Sequence, residues 1–135
     1  MKVGITASCF DLLHAGHCLM LKDAKDQCDY LIAALHVDPH GERHEKNSPV
    51  QTLEERFIIL ESNKYIDEIL IYKTEDELVE IFKERKPGIR IIGSDWLGKK
   101  ITGEELGIET YYHERDHNWS TSGLRKRIFE KELEK

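Results

Sequence analysis

Five short apolar runs alternate with four longer amphipathic stretches along this chain of 135 residues. The apolar runs have the length of strands, and "DYLIAALHV" is continuous enough to be buried on both faces of a sheet. The predicted strands cover residues 3–7, 29–37, 66–72, 89–93 and 107–113, and the predicted helices cover 15–27, 52–65, 75–86 and 120–135. Strands that alternate with helices of this length predict parallel pairing, because each crossover needs a long connection.

The alternation predicts an α/β fold, a Rossmann-like open parallel sheet with helices on both faces, formed by residues 1–135 as a single domain. In such sheets ligands bind at the carboxyl ends of the strands, near the point where the strand order reverses. A long polar loop, residues 38–51, follows the second strand and is expected at this edge. Thr52 and Glu55 form a capping-box pattern, and Ser120 or Thr121 is placed to cap the last helix.

Charge and hydropathy restrict the class of partner. The chain carries 26 acidic and 20 basic residues, which argues against nucleic acid because proteins that bind it usually carry a basic face. No apolar run approaches the roughly 20 residues that span a bilayer, and no leader pattern precedes the first strand, so we expect a cytoplasmic protein without a membrane partner. The three cysteines lack C-x-x-C spacing and are expected to be reduced.

The segment "HAGH", residues 14–17, lies where the first strand pattern gives way to the first helix. His14 and His17 are then neighbours at a helix N-terminus, where free N–H groups and the helix dipole favour an anion. Gly16 has no Cβ and lets a phosphate approach the backbone. The chain contains neither a P-loop nor a G-x-G-x-x-G motif, and it has no H-E-x-x-H. A phosphate-binding device, a metal pair and two loop-capping histidines all remain open on these residues alone.

Three segments together resemble a known family. "CFDLLHAGH" at residues 9–17 is similar to the His-x-Gly-His signature of the cytidylyltransferase-like nucleotidyltransferases. "RDHNWSTSGLRKRI" at residues 115–128 resembles their second signature, Arg-Thr-Glu-Gly-Ile-Ser-Thr-[Ser/Thr]. "GSDWLGK" at residues 93–99 resembles the Gly-Asp-Asp-Trp-x-Gly-Lys stretch of the short bacterial glycerol-3-phosphate cytidylyltransferases. The three segments occur in the family's order over nearly the whole chain.

The resemblance implies transfer of a cytidylyl group from CTP to a small phosphate monoester such as glycerol 3-phosphate, which releases pyrophosphate and forms a CDP-alcohol. The opening "CFDLLHAGH" is also close to adenylyl-transferring heptose-phosphate relatives, so ATP is an alternative nucleotide. A non-catalytic nucleotide-binding regulator is a further alternative, which the retained histidines and arginine of the two signatures disfavour. The terminal helix and second signature favour a whole enzyme over a piece of a larger synthetase, and the family implies a homodimer.

The family's site residues carry over onto the matching positions of this chain. By the resemblance, His14 and His17 contact the triphosphate and stabilise charge on the α-phosphoryl group. Lys46 closes over the phosphates, and Arg115 completes the catalytic set. The implied nucleotide contacts are Cys9, Phe10, Asp11, Gly16, Asp95, Trp96, Trp119, Ser120, Thr121 and Ser122. The implied acceptor contacts are Arg56, Lys64 and Asp38, and Asp11 is also a candidate to help hold Mg²⁺ as the cofactor that accompanies CTP.

The implied chemistry needs no general base. The second pKa of a phosphate monoester is about 6, so the acceptor is already mostly a dianion at pH 7. The protein must supply in-line positioning of two anions and compensation of their charge.

Two departures from the family pattern concern the residues of the nucleotide and acceptor pockets. His117-Asn118-Trp119 replaces Glu-Gly-Ile, and Lys64, a point charge, replaces an arginine of the glycerol-phosphate enzymes.

Overall fold

Five parallel strands form one sheet in the computed structural model, which describes residues 1–135. The strands are β1 Val3–Ser8, β2 Tyr30–His36, β3 Glu68–Tyr72, β4 Ile89–Gly93 and β5 Thr110–His113. The helices are α1 Ala15–Asp26, α2 Leu53–Glu61, α3 Glu75–Arg85 and α4 Thr121–Leu133. The predicted alternation and the α/β Rossmann-like class are confirmed. Helix α2 ends earlier than predicted because the Asn63 side chain accepts a hydrogen bond from the Tyr65 N–H at 2.9 Å and forms a turn.

The strand order is β3-β2-β1-β4-β5, so the direction of sheet growth reverses at β1. β1 pairs with β2 along its whole length and with β4 at Gly4–Ile89 and Ile5–Arg90. The chain runs outward from β1 to β3 and then crosses to β4 on the other side of β1. In such a sheet the loops that follow β1 and β4 leave in opposite directions and open a crevice between them.

Alternate residues of β2 pack against helices on opposite faces of the sheet. Leu31, Ala33 and Leu35 pack on one face with residues of α1 and α2, while Ile32 and Ala34 pack on the other face with residues of α3. The prediction of helices on both faces is therefore confirmed. Helix α4 buries none of its residues in this core. None of the helices has the length and apolar character that crossing a membrane requires.

The loop between β1 and α1 has an unusual backbone. Phe10 and Leu12 both have φ of 51°, in the left-handed region that non-glycine residues avoid. The Phe10 side chain is 1% exposed, and its N–H donates to Ser8 Oγ at 3.3 Å. The Leu12 N–H donates to Gln51 Oε1 at 2.8 Å. Burial and these hydrogen bonds hold the strained loop in place and deliver the chain to His14 at the start of α1.

Candidate active site

His14 and His17 cap helix α1 reciprocally. His14 is the N-cap, and its Nδ1 accepts a hydrogen bond from the Gly16 N–H at 3.0 Å. His17 Nδ1 accepts from the His14 N–H at 3.2 Å. Because both Nδ1 atoms are acceptors, each neutral imidazole carries its proton on Nε2. The two rings lie with centroids 4.0 Å apart, and both line one cavity at the carboxyl edge of the sheet. Capping therefore fixes two N–H donors at this edge.

Both imidazoles are held in their neutral form. Burial lowers the pKa of His17 to about 3; His14 and Arg115 act in the same direction, while the Asp11 carboxylate opposes them. Burial, followed by Arg115, also lowers the pKa of His14. At pH 7 the pair therefore offers hydrogen-bond donors without a net charge, a property that the sequence does not reveal.

We expect His17 to show no protonation between about pH 5 and pH 8 and to carry its proton on Nε2. The unfolded chain protonates this residue near the ordinary pKa of 6.5, whereas in the folded chain its pKa is about 3. The unfolded state therefore binds more protons in this window, and the folded state loses stability as the pH falls below about 6.5. Nitrogen-detected NMR titration measures both tautomer and pKa. A His17 midpoint near its ordinary value would contradict the neutral pair.

A cavity of about 230 Å³, here called the β5-side cavity, opens beside the histidines at the carboxyl ends of β1, β4 and β5. It brings together most of the residues that the two signatures implied. The predicted residues that line it are His14, Gly16, His17, Asp95, Trp96, Arg115, Trp119, Ser120 and Thr121. The signatures lie about a hundred residues apart in the chain, so this meeting is a property of the fold.

A second space of about 180 Å³, the loop cavity, adjoins the first, and His17 and Thr121 line both. The predicted residues Cys9, Phe10, Asp11, Lys46 and Ser122 line it, together with Arg125. The Thr121 hydroxyl lies 3.3 Å from His14 Nε2, so the N-termini of α1 and α4 converge here. Two converging helix N-termini favour a chain of phosphates.

A third space of about 270 Å³, the β3-side cavity, lies across β1 from the histidines. Arg43, Lys46 and Arg90 line it with His36 and Tyr72, and Trp96 lines both this cavity and the β5-side cavity. Arg43 and Lys46 each lie 5.9 Å from the centre of the Trp96 ring. Neither Arg43 nor Arg90 was among the acceptor residues predicted from the sequence.

The structure contradicts the prediction that Arg56 faces the second substrate. The Arg56 side chain is buried in α2, with 2% of the residue exposed. Its guanidinium donates to the carbonyl oxygens of Gln51 at 3.2 Å, Cys9 at 3.0 Å, His36 at 2.7 Å and Val37 at 2.7 Å. Arg56 therefore ties the loop after β1 to the end of β2 and is not free to bind an acceptor.

The structure also contradicts the prediction for Lys64. Lys64 lies between α2 and β3, at the amino end of β3 and thus at the edge of the sheet opposite the cavities. Its ammonium lies 5.2 Å from the centre of the Tyr65 ring. Asp38 does lie at the carboxyl edge, directly after β2, but its carboxylate accepts the His40 N–H at 3.0 Å and caps a short turn.

Asp11 anchors the long loop. Its two carboxylate oxygens accept the N–H groups of Val50 at 2.9 Å and Gln51 at 3.0 Å, and Arg125 lies 3.8 Å away. No group of three or more His, Cys, Asp or Glu side chains is arranged to hold a metal ion. The residues present therefore do not form a Mg²⁺ cage, and both Asp11 oxygens are used to hold the loop.

Two further histidines, His113 and His117, line the β5-side cavity and were not among the residues predicted from the sequence. A Cβ at position 16 would lie 2.9 Å from His14 Cε1 and 3.0 Å from His117 Cε1. Glycine is thus required here because two imidazoles occupy the space, a different reason from the close phosphate approach that the motif predicted. The replacement of the family's glutamate at position 117 was the only signal for His117 in the sequence.

A parallel sheet with two helix N-termini and a histidine pair converging at its carboxyl edge defines a Rossmann-like α/β domain. A model of the cytidylyltransferase-like family matches residues 5–127, and the chain belongs to this family. The predicted family membership is confirmed.

The chain is also similar to individual curated proteins and to solved structures. Bifunctional proteins HldE from Helicobacter pylori (strain HPAG1) and Campylobacter curvus are 33% and 34% identical to this chain over 128 residues, or 94% of its length. The chain spans 27% of the length of each. A lipopolysaccharide core biosynthesis protein from Thermoplasma volcanium shares the fold with a TM-score of 0.69 at 23% identity, covering 88% of this chain and 99% of its own. Pantothenate synthetase from Thermus thermophilus shares the fold with a TM-score of 0.58 at 15% identity over 85% of this chain and 55% of its own.

Proposed function

We propose that the chain transfers a nucleotidyl group from a nucleoside triphosphate to a small phosphate monoester and releases pyrophosphate. The observation that carries the proposal is the convergence of the N-termini of α1 and α4, with His14 Nε2 3.3 Å from the Thr121 hydroxyl, on two adjoining cavities. A triphosphate fits a site that offers uncharged N–H donors, free backbone N–H groups and nearby cations. We place Arg115, Lys46 and Arg125 around it as those cations.

In the proposed reaction, a phosphate oxygen of the acceptor attacks the α-phosphorus, and the bond from that phosphorus to the bridging β-phosphate oxygen breaks. His14 and His17 donate Nε2–H to the oxygens on which charge builds. Neutral donors suit this task because they need no proton transfer and do not change charge near pH 7. Ser120 and Thr121 present the N-terminus of α4, and Arg115 offsets the charge of the departing pyrophosphate. Cys9 and Phe10 shape the loop cavity behind the phosphates.

We place the acceptor in the β3-side cavity. This cavity shares Trp96 and the end of β1 with the β5-side cavity, so an acceptor there can approach the α-phosphorus from the side opposite the leaving group. Arg43 takes over the role that the resemblance gave to Arg56 and Lys64. Arg90, whose guanidinium donates to the Thr102 carbonyl oxygen and packs on the Phe82 ring, forms part of the cavity wall. Lys46 lines this cavity as well as the loop cavity. Mg²⁺, when bound with the nucleotide, would offset the charge of its phosphates.

The names of the relatives favour one of the two nucleotides left open by the sequence. HldE proteins and a protein of lipopolysaccharide core biosynthesis fit adenylyl transfer to a heptose phosphate better than cytidylyl transfer. The "GSDWLGK" segment favours the second candidate, CTP with glycerol 3-phosphate. Asp95 and Trp96 of that segment line the β5-side cavity, where we place the nucleoside.

We expect the protein to release pyrophosphate with only some of the four nucleoside triphosphates, and only when a phosphate monoester is present. Coupled detection of pyrophosphate with ATP, CTP, GTP and UTP, each with Mg²⁺ and either a heptose phosphate or glycerol 3-phosphate, measures this. Reactions without the monoester are the control for simple hydrolysis. Nucleotide binding without pyrophosphate release in any combination would contradict catalysis and favour a regulator.

A further inference from the structure

Two buried imidazole nitrogens in the β5-side cavity have no hydrogen-bond partner. They are Nε2 of His113, at the end of β5, and Nε2 of His117, in the loop before α4. His113 is 8% exposed. Native proteins rarely leave buried polar atoms unpaired, and an exception inside a ligand cavity indicates a polar group that the ligand supplies.

The neutral His113 ring carries its proton on Nδ1, and its unpaired nitrogen is Nε2. His113 Nδ1 lies 2.7 Å from Asp23 Oδ2 of α1, and a carboxylate can only accept a hydrogen bond. Nδ1 therefore carries the proton. In the neutral ring Nε2 is left as a bare acceptor.

Asp23 is itself held in one orientation. Its other oxygen, Oδ1, accepts the Tyr111 hydroxyl at 3.1 Å and the Gln27 side-chain N–H at 3.4 Å. These donors leave Oδ2 for His113. Tyr111 and Gln27 thus orient Asp23, and Asp23 fixes the tautomer of His113, whose ring borders the cavity.

His117 presents the opposite polarity. Its Nδ1 accepts the Trp119 N–H at 3.1 Å, so the neutral ring carries its proton on the unpaired Nε2. Its ring also packs on Trp119 with centroids 4.9 Å apart, which adds an aromatic wall on which a planar base can stack. The cavity therefore contains one unpaired acceptor and one unpaired donor beside an aromatic surface.

We propose that His113 and His117 contact the base of the nucleotide and select bases whose amino group is at C6 of a purine or C4 of a pyrimidine, namely adenine and cytosine. His113 Nε2 accepts a hydrogen bond from the amino group of adenine or cytosine, and His117 Nε2–H donates to a ring nitrogen or carbonyl of the same base. Uracil and guanine present a carbonyl oxygen in place of that amino group, so they leave His113 unpaired. The proposal rests on the proposed function, because it assigns the base to the β5-side cavity.

Equilibrium binding of the four nucleoside triphosphates to the full chain tests the proposal without relying on turnover. Isothermal titration should give dissociation constants for ATP and CTP that are about 10- to 100-fold lower than those for GTP and UTP. The triphosphate of purine riboside, which lacks the amino group of ATP, should bind as weakly as GTP.

Asp23→Asn changes the tautomer without changing the shape of the side chain. Because Tyr111 and Gln27 hold the oxygen of the new amide, its NH₂ faces His113 Nδ1 and moves the ring proton to Nε2. The preference for adenine and cytosine nucleotides should then fall by at least about tenfold or reverse. His113→Leu removes the acceptor and should abolish the preference without reversing it. Asp26→Asn, the same change on the exposed side of α1, is the matched control and should keep the wild-type preference.

The outcomes separate this proposal from the proposed function. Equal binding of all four nucleotides, no binding of any, or an unchanged preference in both Asp23→Asn and His113→Leu would overturn base reading by His113. A base preference that shifts in these variants supports it even if pyrophosphate is never released. In that case the proposed transfer reaction fails, and the inference about the base stands.

Discussion

Replacing His17 with asparagine is expected to lower kcat by about 10²- to 10³-fold while leaving the fold intact. Asparagine can place its Oδ1 where His17 Nδ1 accepts the His14 N–H, so the cap of α1 is preserved. Its side chain is too short to place a donor where the imidazole Nε2–H lies. The loss should therefore appear mainly in kcat, since the missing donor acts on charge that develops in the transition state.

His17→Gln is the matched control for this prediction. Glutamine reaches far enough to put an N–H near the Nε2 position but offers no acceptor where Nδ1 capped the helix. It should retain more activity than His17→Asn and show the lower melting temperature. Steady-state kinetics and thermal unfolding of both variants measure this contrast. If asparagine were as active as the wild type, the donor role of His17 would be wrong.

Replacing Arg56 with methionine is expected to lower the free energy of unfolding by about 3–5 kcal/mol. Methionine fills much of the same volume but leaves the carbonyl oxygens of Cys9, His36, Val37 and Gln51 without their donor. Several buried acceptors that lose their partner together make the effect large. Urea unfolding of the variant against wild type measures it.

Lys64→Met is the control for this prediction. It removes an exposed cation that lies just beyond the end of α2, the helix that carries Arg56. It should change the free energy of unfolding by less than about 0.5 kcal/mol. A stable Arg56→Met protein with a raised KM for the acceptor alone would contradict our placement of Arg56 and restore the role implied by the resemblance.

Local signals predicted the elements of the fold well. The capping box of Thr52 and Glu55 forms as predicted, with the Glu55 N–H 3.1 Å from the Thr52 hydroxyl, and Ser120 caps α4 through the Gly123 N–H. These interactions join residues three apart, so a short window of sequence contains both partners. The continuous apolar run of β2 likewise predicted that this strand is buried on both faces of the sheet, as observed.

The acceptor residues were harder to predict because their environment comes from distant segments. Arg56 looks like a free cation on a helix, but its partners come from the loop after β1 and the end of β2, at separations of up to 47 residues. The Asp23–His113 pair joins residues 90 apart, and neither has a motif around it. The charge and tautomer of a histidine at the site depend on such pairs. The sequence therefore predicted which histidines of the first signature lie at the site, but not their protonation states.

Phe10 and Leu12 both have left-handed dihedrals, and each such residue costs on the order of 1–3 kcal/mol. Interactions within the fold offset this cost, because burial of Phe10 and the hydrogen bond of Leu12 to Gln51 fix the loop without any contact from a nucleotide. A loop that is already ordered has little conformational entropy left to lose on association. The affinity for phosphate at this edge should therefore depend on its contacts, with only a small entropic penalty from the loop.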